Sequence, residues 1–275
     1  MSKYENHNLE TNELPFIYNE RIIKPKNELF DTPNWHENIE ILYIVNGEGA
    51  ISNNGTVFSV CAGDIAVINH NNLHAISARD RSMLHRYLIV DRSFCISNGI
   101  DTNSLLFETE ISDSRVRDLM EQLHTAYTSD KSSPTRILSI RSLVLQILVL
   151  LCTCHAAPSN PSEKTEKSVA YVKTAISYIH ASYAENFSLD DVAAFVGINK
   201  CYLSREFHKY TGLPFVAYVN RTRCNMAKQL LLDKRLSIAE IGSRCGFENR
   251  SYFARSFRKY VGMLPGEYRA KKLTR

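Results

Sequence analysis

Two groups of side chains in this chain could do chemistry by their type and spacing. His36 and Glu40 stand four residues apart in a stretch rich in β-branched and apolar residues, so on a strand they would share one face and both could point inward. An imidazole beside a carboxylate suits a small polar ligand. Trp35 offers an indole face for stacking, and as the only tryptophan it is equally suited to core or dimer packing; Tyr43 and Arg86 add an aromatic and a basic group nearby. The second group is basic. Arg205 and Arg255 occupy matching places in two short helical segments, and a guanidinium fork meets O6 and N7 of guanine together.

The elements that must hold these arginines form a repeat. Ser188 to Gly212 returns as Ser237 to Gly262, first at an offset of 49 residues and, after one inserted residue, at 50. Each copy reads as helix, tight turn, helix. Ser188 and Ser237 can cap a helix start, with Asp191 and Glu240 three residues later to close a capping box. Gly197 and Gly246 tolerate the left-handed backbone that a sharp turn needs. In the second helix of copy one, Leu203, Phe207 and Tyr210 form an inward stripe, leaving Cys201, Ser204, Arg205 and His208 outside. In copy two Phe253, Phe257 and Tyr260 turn inward, and Ser251, Ala254, Arg255 and Arg258 turn out. Shape alone leaves this open, because helical corners of this kind also serve as plain packing units.

Charge favours nucleic acid. Residues 169–275 carry 18 Lys and Arg against 8 Asp and Glu, a net of +10, whereas residues 1–168 carry 15 against 21, a net of −6. The +4 of the whole chain hides that split. A basic half joined to an acidic one is expected where one half sits on phosphates and the other does not. Between the copies, 215–232 lacks glycine and proline and reads as a helix of about 27 Å. A spacer of that length suits two recognition helices in successive major grooves, which repeat every ~34 Å.

These residues resemble a known family. The repeat, the connecting helix and the closing residues Ile238 to Phe247, Ser251 to Phe253, Phe257 to Tyr260, Gly262 and Pro265 to Arg269 look like the AraC/XylS family of bacterial transcription regulators. The resemblance covers about the last 100 residues. It departs at Gly242, where alanine is usual and glycine should loosen the helix by up to ~1 kcal/mol, and at Leu264, where a capping Ser or Thr is usual. The resemblance implies base readers at the starts of the two second helices: Lys200, Cys201, Ser204 and Arg205 in copy one, and Asn249, Arg250, Ser251 and Arg255 in copy two.

The first half has a different character. From Ile22 to about Val90 the signal is β: Ile39 to Val45 is a continuous apolar run, Asn53-Asn54-Gly55 is a hairpin signal, and Val57 to Val60 and Ile65 to Ile68 follow as strands. Two segments resemble a degenerate cupin, the first His36-x3-Glu40-x6-Gly47, the second Gly63-Asp64 followed by Asn69, Asn71 and His74. That resemblance adds His74 to His36 and Glu40 as a two-histidine, one-carboxylate set able to ligate a metal. Asn34 replaces the usual first histidine, Ala78 stands where asparagine often follows, and cupin-like domains joined to this DNA-binding family usually take organic effectors. The reading therefore assigns no metal, cofactor or catalytic residue. It expects Trp35, His36, Glu40, Tyr43, His74 and Arg86 around an organic effector.

The fold expected is α+β. A tail over 1–15 precedes a cupin-like antiparallel barrel and two helices over 16–155, with the barrel at about 20–95 and the helices at about 113–155. A linker at 156–168 leads to an all-α domain at 169–275, with helix-turn-helix motifs at 188–210 and 237–260 joined by the helix at 215–232. Val169 to Ser182 opens that domain with Val172, Ile176 and Ile179 inward. Ile137 to Cys154 reads as a helix buried on both sides, interrupted by Arg141 and Gln146 and marginal for a membrane span, with more apolar surface than one barrel face would use. A homodimer interface would absorb the excess. Residues 1–15 lack the pattern of a signal peptide, and seven scattered cysteines without Cys-x-x-Cys fit a reducing cytoplasm. The function expected is that of a cytoplasmic, non-enzymatic regulator, an activator answering a sugar or related metabolite. Its partners would be promoter half-sites, the effector, RNA polymerase and a second copy, with no membrane. The alternatives are a ligand-independent dimeric regulator and a metal-dependent cupin enzyme carrying a DNA-binding domain.

Overall fold

The computed structural model describes residues 14–25, 33–102, 104–130, 132–157 and 163–273. The chain divides into two compact units between Ser162 and Glu163. The tail expected over 1–15 lies outside the described residues except for its last two.

The first unit is built from antiparallel strands followed by helices. Its elements are β1 (Phe16–Ile23), β2 (Ile39–Asn46), β3 (Glu48–Asn53), β4 (Thr56–Cys61), β5 (Ile65–Ile68), β6 (His74–Ala78) and β7 (Met83–Val90), then α1 (Arg92–Ser97), β8 (Leu106–Phe107), β9 (Glu110–Ile111), α2 (Ser114–Thr128), α3 (Arg136–Cys154) and β10 (Ala156–Ala157). One sheet runs in the order β1-β7-β2-β5-β9, a second in the order β4-β3-β6, and β10 pairs with β8. Strand β2 explains the architecture. Its alternate residues Leu42 and Ile44 join Ile51, Val60, Ile68 and Met83 in the core shared by the two sheets. Ile39, Ile41 and Tyr43 point the other way, into a core completed by Val116, Met120 and Leu123 of α2 and Ile140, Val144, Ile147 and Leu151 of α3. A strand buried on both faces reads as an unbroken apolar run. The hairpin from β3 to β4 turns at Asn54 and Gly55, both left-handed.

Helix α3 differs from its expectation. It is buried on one side only, and Leu138 and Val149 are 68% and 59% exposed. It is the one helix among the described residues long and apolar enough to cross a membrane, yet its inner face is part of the core described above. The linker expected at 156–168 is also shorter. Ala156 and Ala157 are held by β8, and the next helix has already begun at Glu163.

The second unit is all helical: α4 (Glu163–Ser182), α5 (Leu189–Val196), α6 (Lys200–Thr211), α7 (Phe215–Leu230), α8 (Ile238–Arg244), α9 (Arg250–Val261) and α10 (Pro265–Leu273). In α4, Val172, Ile176 and Ile179 are fully buried on one stripe. Helix α7 is more than the spacer that its composition suggests. At its start Phe215 and Tyr218 stack on Phe207 of α6, at centroid distances of 5.6 and 5.2 Å. Further along, Cys224 and Ala227, with Leu231 just past its end, enter the core of α8 and α9 with Ile241, Cys245, Phe253 and Phe257.

Candidate nucleic-acid interface and barrel site

Both copies of the repeat form the same local structure for the same reason. Ser188 caps α5 by accepting from the amide of Asp191, whose carboxylate accepts from the Ser188 amide; Ser237 and Glu240 do the same for α8. Each box satisfies helix-end donors that would otherwise lack partners, worth about 1 kcal/mol. Gly197 and Gly246 then take left-handed φ angles of 77° and 78°. The second helices start on asparagine caps: Asn199 accepts from the Cys201 amide at 2.7 Å, and Asn249 from the Tyr252 amide at 3.0 Å. Asn249, expected among the base readers, thus spends its side-chain oxygen on positioning α9.

The outward faces are as the periodicity requires. Lys200, Cys201, Ser204, Arg205 and His208 of α6 are exposed, as are Arg250, Ser251, Arg255 and Arg258 of α9, while Leu203, Phe207, Phe253 and Phe257 are buried. In copy one the cations have neighbours. Lys200 Nζ lies 2.6 Å from Asp190, and Arg205 sits over the Tyr202 ring with Nε 3.4 Å from Glu206. Among the described residues, Arg250, Arg255 and Arg258 pair with no acidic side chain.

Two features were invisible in the sequence. A tyrosine early in each second helix ties it to the long helix before it. Tyr202 of α6 bonds through its hydroxyl to Ser168 of α4, and Asn220 of α7 donates to the Tyr252 hydroxyl of α9, both at 2.7 Å. The repeated unit is therefore three helices, not two. Arg223 of α7 also joins the copies: Nε donates to the Tyr183 carbonyl at 2.8 Å and Nη2 to the Glu185 carbonyl at 2.7 Å, and its guanidinium lies over Phe247. The departures from the family pattern look different here too. A Cβ on Gly242 would lie 3.0 Å from the buried Phe253 ring, so glycine lets α8 approach α9 closely. The amide of Leu264 is taken up by Glu267 at 2.8 Å.

In the first unit the polar residues separate into two sites. His36, Glu40 and His74 converge, with His36 Nε2 3.2 Å and His74 Nε2 3.0 Å from the same Glu40 oxygen. All three are buried. His36 precedes β2, so strand parity does not place it. An isolated bridge does: Asn34 and His74 exchange backbone hydrogen bonds at 2.9 Å, and the Asn71 amide donates to the His36 carbonyl at 2.8 Å. The turn that presents His74 is fixed by Asn72, which donates to Asn53, and by Asn69, which exchanges two hydrogen bonds with the Phe107 backbone. Burial alone would push the Glu40 carboxyl up, but hydrogen bonds from His36 and His74 outweigh it and hold the carboxyl well below its usual range. His85 of β7 is buried with Met83 of the same face, and burial pushes its imidazole down to about 4 despite the nearby Glu40 carboxylate. Trp35 is buried beside the bridge.

Tyr43 and Arg86, expected with this set, lie on the opposite face of the sheet. They are cross-strand partners on the side where α2 packs. Arg86 donates to Glu20 at 3.0 Å and to Glu121 of α2 at 2.6 Å. Burial would raise Glu121, but its hydrogen bonds from Arg86 and Tyr43 hold it low. The set read as one lining is a buried His-Glu-His cluster and a separate arginine-carboxylate clamp.

Comparison with known proteins finds a separate match in each of the two units. Residues 20–148 match the family described as the AraC-like ligand binding domain, and residues 192–271 match a helix-turn-helix domain. Over 244 residues the chain is 27% identical to the Msm operon regulatory protein of Streptococcus mutans, covering 86% of each. It is 32% identical over 152 residues to the HTH-type transcriptional regulator YpdC of Escherichia coli, 55% of this chain and about half (52%) of that one. Among solved structures, an AraC-type transcriptional regulator from Chromobacterium violaceum matches with 34% identity and a TM-score of 0.37, over 39% of this chain and 96% of that one.

Proposed function

The chain belongs to the AraC-type transcriptional regulators, a ligand-binding domain followed by a helix-turn-helix DNA-binding domain, and from that premise we propose that it is a cytoplasmic activator that reads a split promoter site as a homodimer. The observation that carries this reading is the pair of capped recognition helices with exposed basic faces. Arg205 and Arg255 read guanine in successive major grooves, assisted by Lys200, Cys201 and Ser204 in one copy and Arg250 and Ser251 in the other. The exposed apolar face of α3, with Leu138 and Val149, supports a second copy as its cover. A sugar or related metabolite bound beside His36, Glu40 and His74 would shift the balance between two dimer states, as ligand control requires differential affinity. RNA polymerase is the final partner of an activator so controlled.

Selection of bound sites from a randomised duplex pool tests the DNA reading. Arg205→Ala and Arg255→Ala should each relax the preference at one base position, in different halves of the site, at a cost of ~1–3 kcal/mol. Uniform weakening on every sequence would make the residue a phosphate anchor instead. Thermal-shift measurements against a panel of sugars test the effector: no shift, together with unchanged DNA affinity, would leave a regulator whose barrel only dimerises.

A further inference from the structure

We propose that Arg223 is a positioning residue that holds the two recognition helices, α6 and α9, at one spacing and angle, and so makes the chain selective for the distance between the two groove segments it reads. This rests on the reading of α6 and α9 in successive major grooves. Apolar packing alone would leave the angle soft. Copy one meets α7 through Phe215 and Tyr218 against Phe207, and copy two meets it through Cys224 and Ala227 in the core of α8 and α9. Such contacts are non-directional, so they specify the roll of each copy about the shared helix only weakly.

Arg223 supplies the direction. Its planar guanidinium donates from Nε to the Tyr183 carbonyl at 2.8 Å and from Nη2 to the Glu185 carbonyl at 2.7 Å, two acceptors in the segment that leads from α4 to α5. Two bonds from one plane hold an orientation, which a single bond does not. The carbonyls lie just past the end of α4 at Ser182, where a helix end exposes backbone acceptors and favours positive charge. The face of the guanidinium covers the Phe247 ring at 5.9 Å. Phe247 belongs to copy two: it follows the turn glycine Gly246, is buried, and packs on Phe253 of α9 at a centroid distance of 5.0 Å. One side chain thus touches the entry of copy one and the turn of copy two, from the middle of the helix between them.

The turn glycines point to the same contact. Gly197 and Gly246 share a left-handed backbone, so the turn itself sets no difference between them. A Cβ on Gly197 would meet open space, whereas on Gly246 it would lie 2.8 Å from the Tyr183 carbonyl and 3.0 Å from that of Ala184. Copy two therefore sits against the backbone segment that Arg223 holds. A base pair added between the two groove segments moves one of them by ~3.4 Å and turns it by about 35° around the duplex axis. A junction bonded in direction does not follow that turn while it stays intact.

The test measures binding of the full-length protein to labelled duplexes by fluorescence anisotropy. The bases whose preference relaxes in Arg205→Ala and Arg255→Ala mark the two segments, and one base pair is then added or removed between them. Wild type should bind each mis-spaced duplex ~10–100-fold more weakly, the cost of about one lost bidentate base contact. Arg223→Met keeps a stem over Phe247 and removes both donors. It should close most of that gap, while the base preference within each segment stays as in wild type. Arg223→Lys keeps the charge but cannot bridge both carbonyls, so it should lose the spacing preference as well. Ile241→Val opens a small cavity in the core of copy two without touching the junction and should keep the wild-type spacing profile; loss of the profile there too would mark a general loosening and overturn the proposal. Far-ultraviolet dichroism checks folding, and where Arg223→Met is unfolded, Arg223→Lys decides. An unchanged gap in a folded Arg223 variant overturns the proposal and leaves the two-groove reading standing. A wild type indifferent to spacing, or no relaxed bases, overturns that reading and the proposal with it.

Discussion

The two copies of the helical repeat share their backbone but not their surroundings. Both have a capping box, a left-handed glycine and an asparagine-capped second helix. Around Gly197 the space is open, whereas a Cβ on Gly246 would lie 2.8 Å from the Tyr183 carbonyl and 2.9 Å from Arg223 Nε. Copy one pairs Lys200 with Asp190 and Arg205 with Glu206, whereas Arg250, Arg255 and Arg258 of copy two pair with no acidic side chain among the described residues. Duplication thus preserved what makes a helix-turn-helix fold and released what it touches. The first property rests on local hydrogen bonds, and the second on side chains that pack or contact nucleic acid.

The largest expected effect tests whether the copies share a core. Phe207 stacks on α7 in copy one, and Phe257 lies between Phe253 and Tyr268 in copy two; both are fully buried. Phe207→Ala and Phe257→Ala should each cost ~3–5 kcal/mol in chemical denaturation. Because α7 serves both cores, each variant should also weaken DNA binding through the other copy. If one copy keeps full affinity for its half of the site while the other is unfolded, the copies are independent.

Acid should separate the copies next. His180 of α4, close to the Tyr218 hydroxyl at 3.2 Å, is pushed down to about 4 by burial, while the core of copy two contains no histidine. Its folded value lies below the unfolded value of ~6.5, so the unfolded chain binds the extra proton. The stability this histidine confers is complete above about pH 6.5 and is lost as pH falls towards 4, up to ~3 kcal/mol before allowance for its partial exposure. Melting followed by hydrogen exchange at pH 5 should show α4 opening before α9. His180→Asn should reduce the difference, and equal loss in both copies would sink the assignment.

The smallest effect is the most discriminating. Gly197→Ala should cost only left-handed backbone strain, ~1–2 kcal/mol. Gly246→Ala adds a steric conflict with the carbonyls of Tyr183 and Ala184 and should cost at least ~1 kcal/mol more. Matched denaturation curves measure the difference. Equal losses would mean that the junction held by Arg223 yields freely.

Much of the second unit was legible in sequence. Ser188 with Asp191, Ser237 with Glu240, and the turn glycines act within a few residues of their own position, so their spacing specifies the bonds they make. The inward stripe of Phe253 and Phe257 follows from helical period in the same way. Asn249, placed by the resemblance among the base readers, is also the cap of α9, because a cap and a groove contact occupy the same end of a helix. The tyrosine tethers and the Arg223 junction could not be read, since their partners lie 32 to 40 residues away. In the first unit the β signal and the hairpin at Asn54-Gly55 were clear. Alternation also held the information that Tyr43 and Glu40 face opposite ways, because they differ by an odd number of positions along β2.

The sequence by itself determined a duplicated helix-turn-helix on a basic half, joined to an acidic β half, because capping, periodicity and charge are local or additive properties. Only the tertiary structure decided that His36 and His74 meet on one oxygen of Glu40, that Arg86 belongs to a different site, and that α7 binds both copies together. Those outcomes depend on which strands pair and which helices pack, and a contact between distant residues exists only after the chain between them has folded.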